Sequence, residues 1–255
     1  MLLAIEVGNT ETTVGVFEDG ELARHWRVAT VPDRTADELA LLLSGLLDHE
    51  ELDFDSISGM AISSVVPRLT QSLRDMTARY LRVEPVVVGP GVRTGVPILT
   101  DNPREVGADR VVNAVAAFTR YGGPAIVVDF GTATTFDAVS ERGELLGVAI
   151  APGIQISVNA LAERTAQLGR VELVKPRSVI GRNTIESMQS GIMFGTAGEV
   201  DTIVRRMTAE LGGHAVVVAT GGLAGIMLDV CETLEHHDPW LTLRGLRMVH
   251  DLNTR

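Results

Sequence analysis

Residues 5–22, IEVGNTETTVGVFEDGEL, align without a gap on residues 128–145, VDFGTATTFDAVSERGEL, within a chain of 255 residues. Identities fall at Gly8/Gly131, Thr12/Thr135, Val16/Val139, Glu18/Glu141, Gly20/Gly143, Glu21/Glu144 and Leu22/Leu145, and a carboxylate is kept at Glu6/Asp129. Self-similarity at that separation calls for one structural unit built twice. Each copy reads as an apolar strand ending in a carboxylate, a Gly/Thr-rich turn, a second strand, a turn at Gly20 or Gly143, and a third strand. The repeat predicts an α/β protein of two like lobes, residues 1–121 and 122–255, each carrying a three-stranded meander.

Behind the first meander the pattern predicts a helix over 35–47, with Thr35 as its cap and Glu38 three residues on, then a strand at 59–63. A helix over 67–80 and a strand at 85–88 follow. The second half offers helices over 153–168 and 184–211, a strand at 216–219, and Thr220-Gly221-Gly222 turning into a last helix. A doubly wound dinucleotide fold would need Gly-x-Gly-x-x-Gly opening a helix, whereas more strand follows the turn after Glu6.

The formal net charge of −11 and the lack of a basic run argue against a nucleic-acid partner, whose phosphates need Lys and Arg. Cys231 is the single cysteine, so no intramolecular disulfide forms, which suits a reducing compartment. The apolar start, Met1 to Ile5, runs into Glu6, and no segment reaches the roughly 20 apolar residues of a membrane span. The expectation is a cytoplasmic protein with no membrane partner.

A phosphate is held by backbone N–H groups and hydroxyls on a tight turn, with a carboxylate nearby for the cation or its waters. Glu6-Val7-Gly8-Asn9-Thr10 and Asp129-Phe130-Gly131-Thr132-Ala133 both supply this chemistry, at equivalent places in the repeat. Gly221 and Gly222 would let a nucleoside approach the backbone at a strand-to-helix turn. Gly107-Ala108-Asp109-Arg110 opens a helix, where amides and Arg110 suit an anionic substrate and Asp109 points at it; a cap with a solvent ion pair fits the same residues. His236-His237-Asp238 lacks metal-ligand spacing and reads as an exposed loop, and Gly89-Pro90-Gly91 reads as a turn.

Together with Ala151-Pro152-Gly153, Gly181-Arg182-Asn183-Thr184 and Asp129 through Asp137, these motifs resemble the type III pantothenate kinases of the actin-like ATPase superfamily, over nearly the whole chain. The resemblance implies two ribonuclease-H-like lobes facing a central cleft and ATP-dependent phosphorylation of pantothenate in coenzyme A synthesis. It further implies ATP contacts from Glu6, Val7, Gly8, Asn9, Thr10, Glu11, Thr12, Thr13 and Thr132, with Gly221 and Gly222 at the nucleoside. Pantothenate would meet Gly107, Ala108, Asp109, Arg110 and Thr184, with Asp109 as general base. Asp129 would hold a monovalent cation, potassium or ammonium, beside Mg²⁺, in a homodimer. One departure stands out: the family's first motif begins with Asp, whereas this chain carries Glu6. The competing readings are another small-molecule kinase of the superfamily and a catalytically weakened relative acting as a regulator or nucleotide-binding protein.

Overall fold

The computed structural model describes residues 1–165 and 168–254. Two compact units divide the chain: Met1–Pro97, Asp101–Ala116 and Leu241–Arg255 form the first, Ile98–Thr100 and Ala117–Trp240 the second. They differ from a simple cut at residue 121 mainly at the C-terminus, because the last helix packs on the first unit's sheet.

The first unit holds β1 (Leu2–Val7), β2 (Glu11–Glu18), β3 (Glu21–Ala29), β4 (Gly59–Ser64) and β5 (Val86–Val87) in the spatial order β3-β2-β1-β4-β5. The meander is antiparallel, and β4 and β5 add in parallel. The second unit holds β6 (Ala125–Phe130), β7 (Ala133–Val139), β8 (Leu145–Pro152), β9 (Val216–Thr220) and β10 (His236–His237), ordered β10-β9-β6-β7-β8 with the same pattern of directions. The duplication thus extends through all five strands, well past the meander that was visible in the sequence.

Strand pairing corrects the gap-free alignment. Glu6 lies opposite Thr13, but Asp129 lies opposite Thr135, so Thr13 and Thr135 are the true counterparts and Thr12 matches Thr134. The first turn of the second copy is one residue shorter and its second turn one residue longer, and the two changes cancel by β8. Both copies keep the same bulge, after Val16 in β2 and after Ala138 in β7. In a strand a one-residue slip reverses every side chain, so this correction decides which hydroxyl shares a face with each carboxylate.

Alternation then sorts the faces. Leu3, Ile5, Val7, Val14 and Val16 pack with α1 (Ala36–Asp48) and α2 (Pro67–Met76). Thr35 and Glu38 form the expected capping box: the Glu38 N–H donates to Thr35 Oγ1 at 3.3 Å and the Thr35 N–H to Glu38 Oε2 at 2.8 Å. The predicted helix over 67–80 is α-helical only to Met76; a wider turn, Thr77–Leu81, then closes on Arg82 at φ 58°. On the opposite face lies α7 (Leu241–Thr254), with Leu243 over Gly15 and His250 over Gly59.

In the second unit Ile126, Val128 and Phe130 pack with α4 (Ile154–Arg164) and α5 (Thr184–Glu210). The predicted end of α4, at 166–168, falls partly on residues 166 and 167, outside the described residues. Asp201 of α5 is buried and accepts the N–H groups of Glu232 and Thr233 and the Thr233 hydroxyl at 2.8–3.1 Å, tying the approach to β10 onto the helix. The expected last helix after Gly222 is only the short α6 (Ala224–Met227). His236 and His237 form an edge strand instead of a loop, and Asp238 behind them is buried, within 3.3 Å of Arg120.

Candidate active site

In the first unit β1 delivers Glu6 to a turn of Gly8, Asn9, Thr10 and Glu11. The Gly8 N–H donates to the Glu11 carbonyl at 3.0 Å, and the end of β3 braces the loop: Thr30 Oγ1 donates to the Gly8 carbonyl at 2.8 Å and the Thr30 N–H to the Thr10 carbonyl at 2.9 Å. The Thr12 hydroxyl lies 2.8 Å from that of Thr30, so it stiffens the turn. Val7 is a core residue and offers only its backbone. Asn9, Thr10 and Glu11 are exposed, and Glu6 and Thr13 are half-buried. A braced turn of exposed residues beside a carboxylate suits an anion together with its cation.

The first unit also contains the start of α3 (Ala108–Tyr121). Asp109 folds back over Gly107, where any side-chain carbon would collide with Asp109 Oδ1, and that oxygen accepts the Arg110 N–H at 3.0 Å. Gly107, Ala108, Asp109 and Arg110 are all half-buried. Asp109 lies inside the first turn of α3 and is not its cap; the bond from the Arg110 N–H fixes the orientation of its carboxylate.

The second unit brings more of the expected residues together. Asp129 is the last residue but one of β6, the Gly131 N–H donates to the Ala133 carbonyl at 3.1 Å, and Thr132 is exposed at the tip. Gly153 abuts the Thr132 carbonyl so closely that no larger residue fits. Gly221, at φ +91°, lies over the Asp129 carboxylate and within 2.7 Å, measured from an added side-chain carbon, of the Phe130 backbone. The Leu223 N–H donates to the Phe130 carbonyl at 3.3 Å, clamping the two loops, with Gly222 exposed between them. Asp129, Thr132, Gly153, Gly221 and Gly222 thus form one surface at the carboxyl ends of parallel strands, where α/β sheets bind ligands.

Thr184 opens α5 beyond its cap, Asn183, whose side chain accepts the Glu186 N–H at 2.9 Å. It sits, exposed, in an open groove of about 550 Å³ between α4 and α5 that includes Leu161, Met188 and Ile192. Cys231 is buried, its thiol pushed up to about 12 by desolvation and the nearby Asp201, so it offers no thiolate.

Among the described residues no group of three or more His, Cys, Asp and Glu could hold a metal ion, and no helix is long and apolar enough to cross a membrane. A cation here would rest on one or two carboxylates, hydroxyls, water and ligand oxygens, which suits Mg²⁺ with a nucleotide. Sequence reasoning missed the bracing Thr30 and the place of Ser63 beside Glu6. Pairing the apolar run at 59–63 with β1 would have revealed the second.

The family model for type III pantothenate kinase matches residues 2–206. The chain is 57% identical over 254 residues to the type III pantothenate kinase of Moorella thermoacetica, covering 100% of each chain, and 57% identical over 254 residues to that of Acidothermus cellulolyticus, covering 99% of each. Among solved structures it resembles the activator of the 2-hydroxyisocaproyl-CoA dehydratase from Clostridium difficile with bound ADPNP, with a TM-score of 0.59 at 11% identity over 98% of this chain and 93% of that one. This likeness carries the architecture alone, the actin-like ATPase fold.

Proposed function

We propose, from the premise that this chain belongs to the type III pantothenate kinase family, a division of labour among its residues for that family's reaction. The protein is a kinase that transfers a phosphoryl group from ATP to pantothenate, giving 4′-phosphopantothenate in coenzyme A synthesis. The observation that carries the site reading is the packing of Gly221 onto Asp129 and of Gly153 onto Thr132, which makes one polar surface of three separate loops.

The turn at residues 6–13 and Thr132 hold the phosphates of ATP, and Gly221 and Gly222 let the nucleoside lie against the backbone. Mg²⁺, when bound, offsets the charge on those phosphates. Asp129 holds a monovalent cation, potassium or ammonium. Arg110 takes the pantothenate carboxylate, for which a guanidinium fork is suited, and Asp109 accepts the proton of the alcohol. Thr184 touches pantothenate in a homodimer. Support for the dimer is the apolar surface around it: Val179, Ile180 and Ile185 are 68%, 80% and 59% exposed. The reaction takes place in the cytoplasm.

A coupled assay of ADP release tests the function: release should require pantothenate and rise with potassium. ATP turnover indifferent to pantothenate would sink the kinase assignment, while turnover indifferent to potassium and ammonium would sink only the role given to Asp129.

Glu6 puts one methylene more than the family's Asp between backbone and carboxylate. That moves the charge by about 1 Å, a displacement that can cost ~100-fold in rate. Glu6→Asp is therefore expected to raise kcat, and a variant no faster than the parent would show the longer side chain to be fully accommodated.

A further inference from the structure

We propose that Ser63 is a ligand-binding residue of the Glu6 site, its hydroxyl meeting a water of the hydrated divalent cation that accompanies ATP; this rests on the kinase reading above. Ser63 is 1% exposed and its Oγ has no hydrogen-bond partner among the described residues. Its neighbour Ser64 shows the usual solution, accepting the Val66 N–H at 3.1 Å and donating to the Val66 carbonyl at 3.2 Å. A buried hydroxyl left unsatisfied destabilises the fold, and alanine would fill the same place without that penalty.

Position explains the exception. Ser63 on β4 is the register partner of Glu6 on β1, and Thr13 on β2 is its partner on the other side. Paired residues project from the same face, so the carboxylate is flanked by two hydroxyls. The second unit repeats the row: Asp129 lies between Thr135 on β7 and Thr220 on β9. The same hydroxyl-carboxylate-hydroxyl row stands at equivalent strand positions in both copies, so a polar row beside the carboxylate is a repeated feature of the fold.

These are hard oxygen donors, the set that suits Mg²⁺. Neighbouring strands lie about 4.8 Å apart. Their side chains differ in length: the serine oxygen stands one bond beyond Cβ and the Glu6 carboxylate oxygens three, so with the cation at the end of the carboxylate the serine meets a metal-bound water. The unpartnered Oγ is then satisfied only in the loaded enzyme.

The two consequences of Ser63→Ala have opposite signs, and no purely structural role gives that pair. With the full chain and no ligand, the variant should melt at the parent's temperature or about 2–4 °C higher, since an unsatisfied group has been removed. Binding of Mn²⁺·ATP, followed by the electron paramagnetic resonance of Mn²⁺, should weaken about 3-fold to 10-fold, as expected for one lost hydrogen bond. Metal-free ATP should bind the two proteins alike. A lower ligand-free melting temperature, or unchanged Mn²⁺·ATP affinity, overturns the proposal. The binding measurement needs no turnover, so it separates this result from a failure of the pantothenate-dependent ADP assay, which would instead strike the kinase reading.

Discussion

Asp109→Asn should lower kcat by about 10²-fold to 10⁴-fold, the usual worth of a general base, while ATP binds as before. The substitution is chosen for what it keeps. Asp109 Oδ1 accepts the Arg110 N–H at 3.0 Å and folds over Gly107. An asparagine oxygen accepts the same bond, so the start of α3 and the placement of Arg110 survive. What is lost is the negative charge and the ability to take the proton of the pantothenate alcohol. Because phosphoryl transfer passes through a loose transition state, that proton leaves late, and the base needs position more than an altered pKa. The KM for pantothenate should change little, since the role proposed for Arg110 leaves the charge that meets the substrate carboxylate in place. Turnover within a few-fold of the parent would move the base to another group, and a collapse of the melting temperature would reduce Asp109 to a support of the first turn of α3.

Local signals in the sequence reported faithfully where the physics is local. Thr35 and Glu38 mark the start of α1 because a capping box satisfies orphan amides within four residues of chain. The repeat was legible because an acidic strand end, a Gly/Thr turn and an apolar partner strand recur together. Its register was not, since identity at Thr12/Thr135 hides two compensating changes in turn length that only the hydrogen-bonded ladder exposes. The last helix escaped for a different reason. Gly245 reads as a helix breaker, yet in α7 it is the residue that allows contact with α3: an added side-chain carbon would lie on the Val112 carbonyl and 3.1 Å from Val112 Cβ. That requirement comes from a segment more than a hundred residues away in sequence, which no window along the chain contains. His236 and His237 form a strand too short to carry a period, held by pairing with Val218 and Ala219. At the proposed site, the glycines, hydroxyls and carboxylates of the motif turns were legible, whereas Ser63 was not. Its meaning lies in having Glu6 beside it, which is a fact of the sheet.

Gly221→Ala should be the most damaging single change to the nucleotide surface, lowering kcat/KM for ATP by about 100-fold or more and abolishing the response to potassium. Two separate effects act at this position. The backbone stands at φ +91°, where any residue with a side-chain carbon is strained. The added carbon would also meet the Asp129 carboxylate and the Phe130 backbone nitrogen and carbonyl carbon at 2.7 Å. A flexible side chain could give way, but the backbone of β6 is fixed by β7 and β9 on both sides, so the loop carrying Gly221 and Gly222 has to move. A shift of about 1 Å there separates the nucleoside surface from Asp129, a displacement that can cost 10²-fold. Loss of stability has to be separated from loss of function. Gly198→Ala, in the middle of α5 with nothing within 4 Å of the new carbon, serves as the control and should stabilise the helix by about 0.5–1 kcal/mol with kinetics unchanged. Adding that substitution to Gly221→Ala should recover melting temperature without recovering ATP affinity or potassium activation. If it recovers both, Gly221 serves the fold alone and the surface it forms with Asp129 is not where the nucleotide lies.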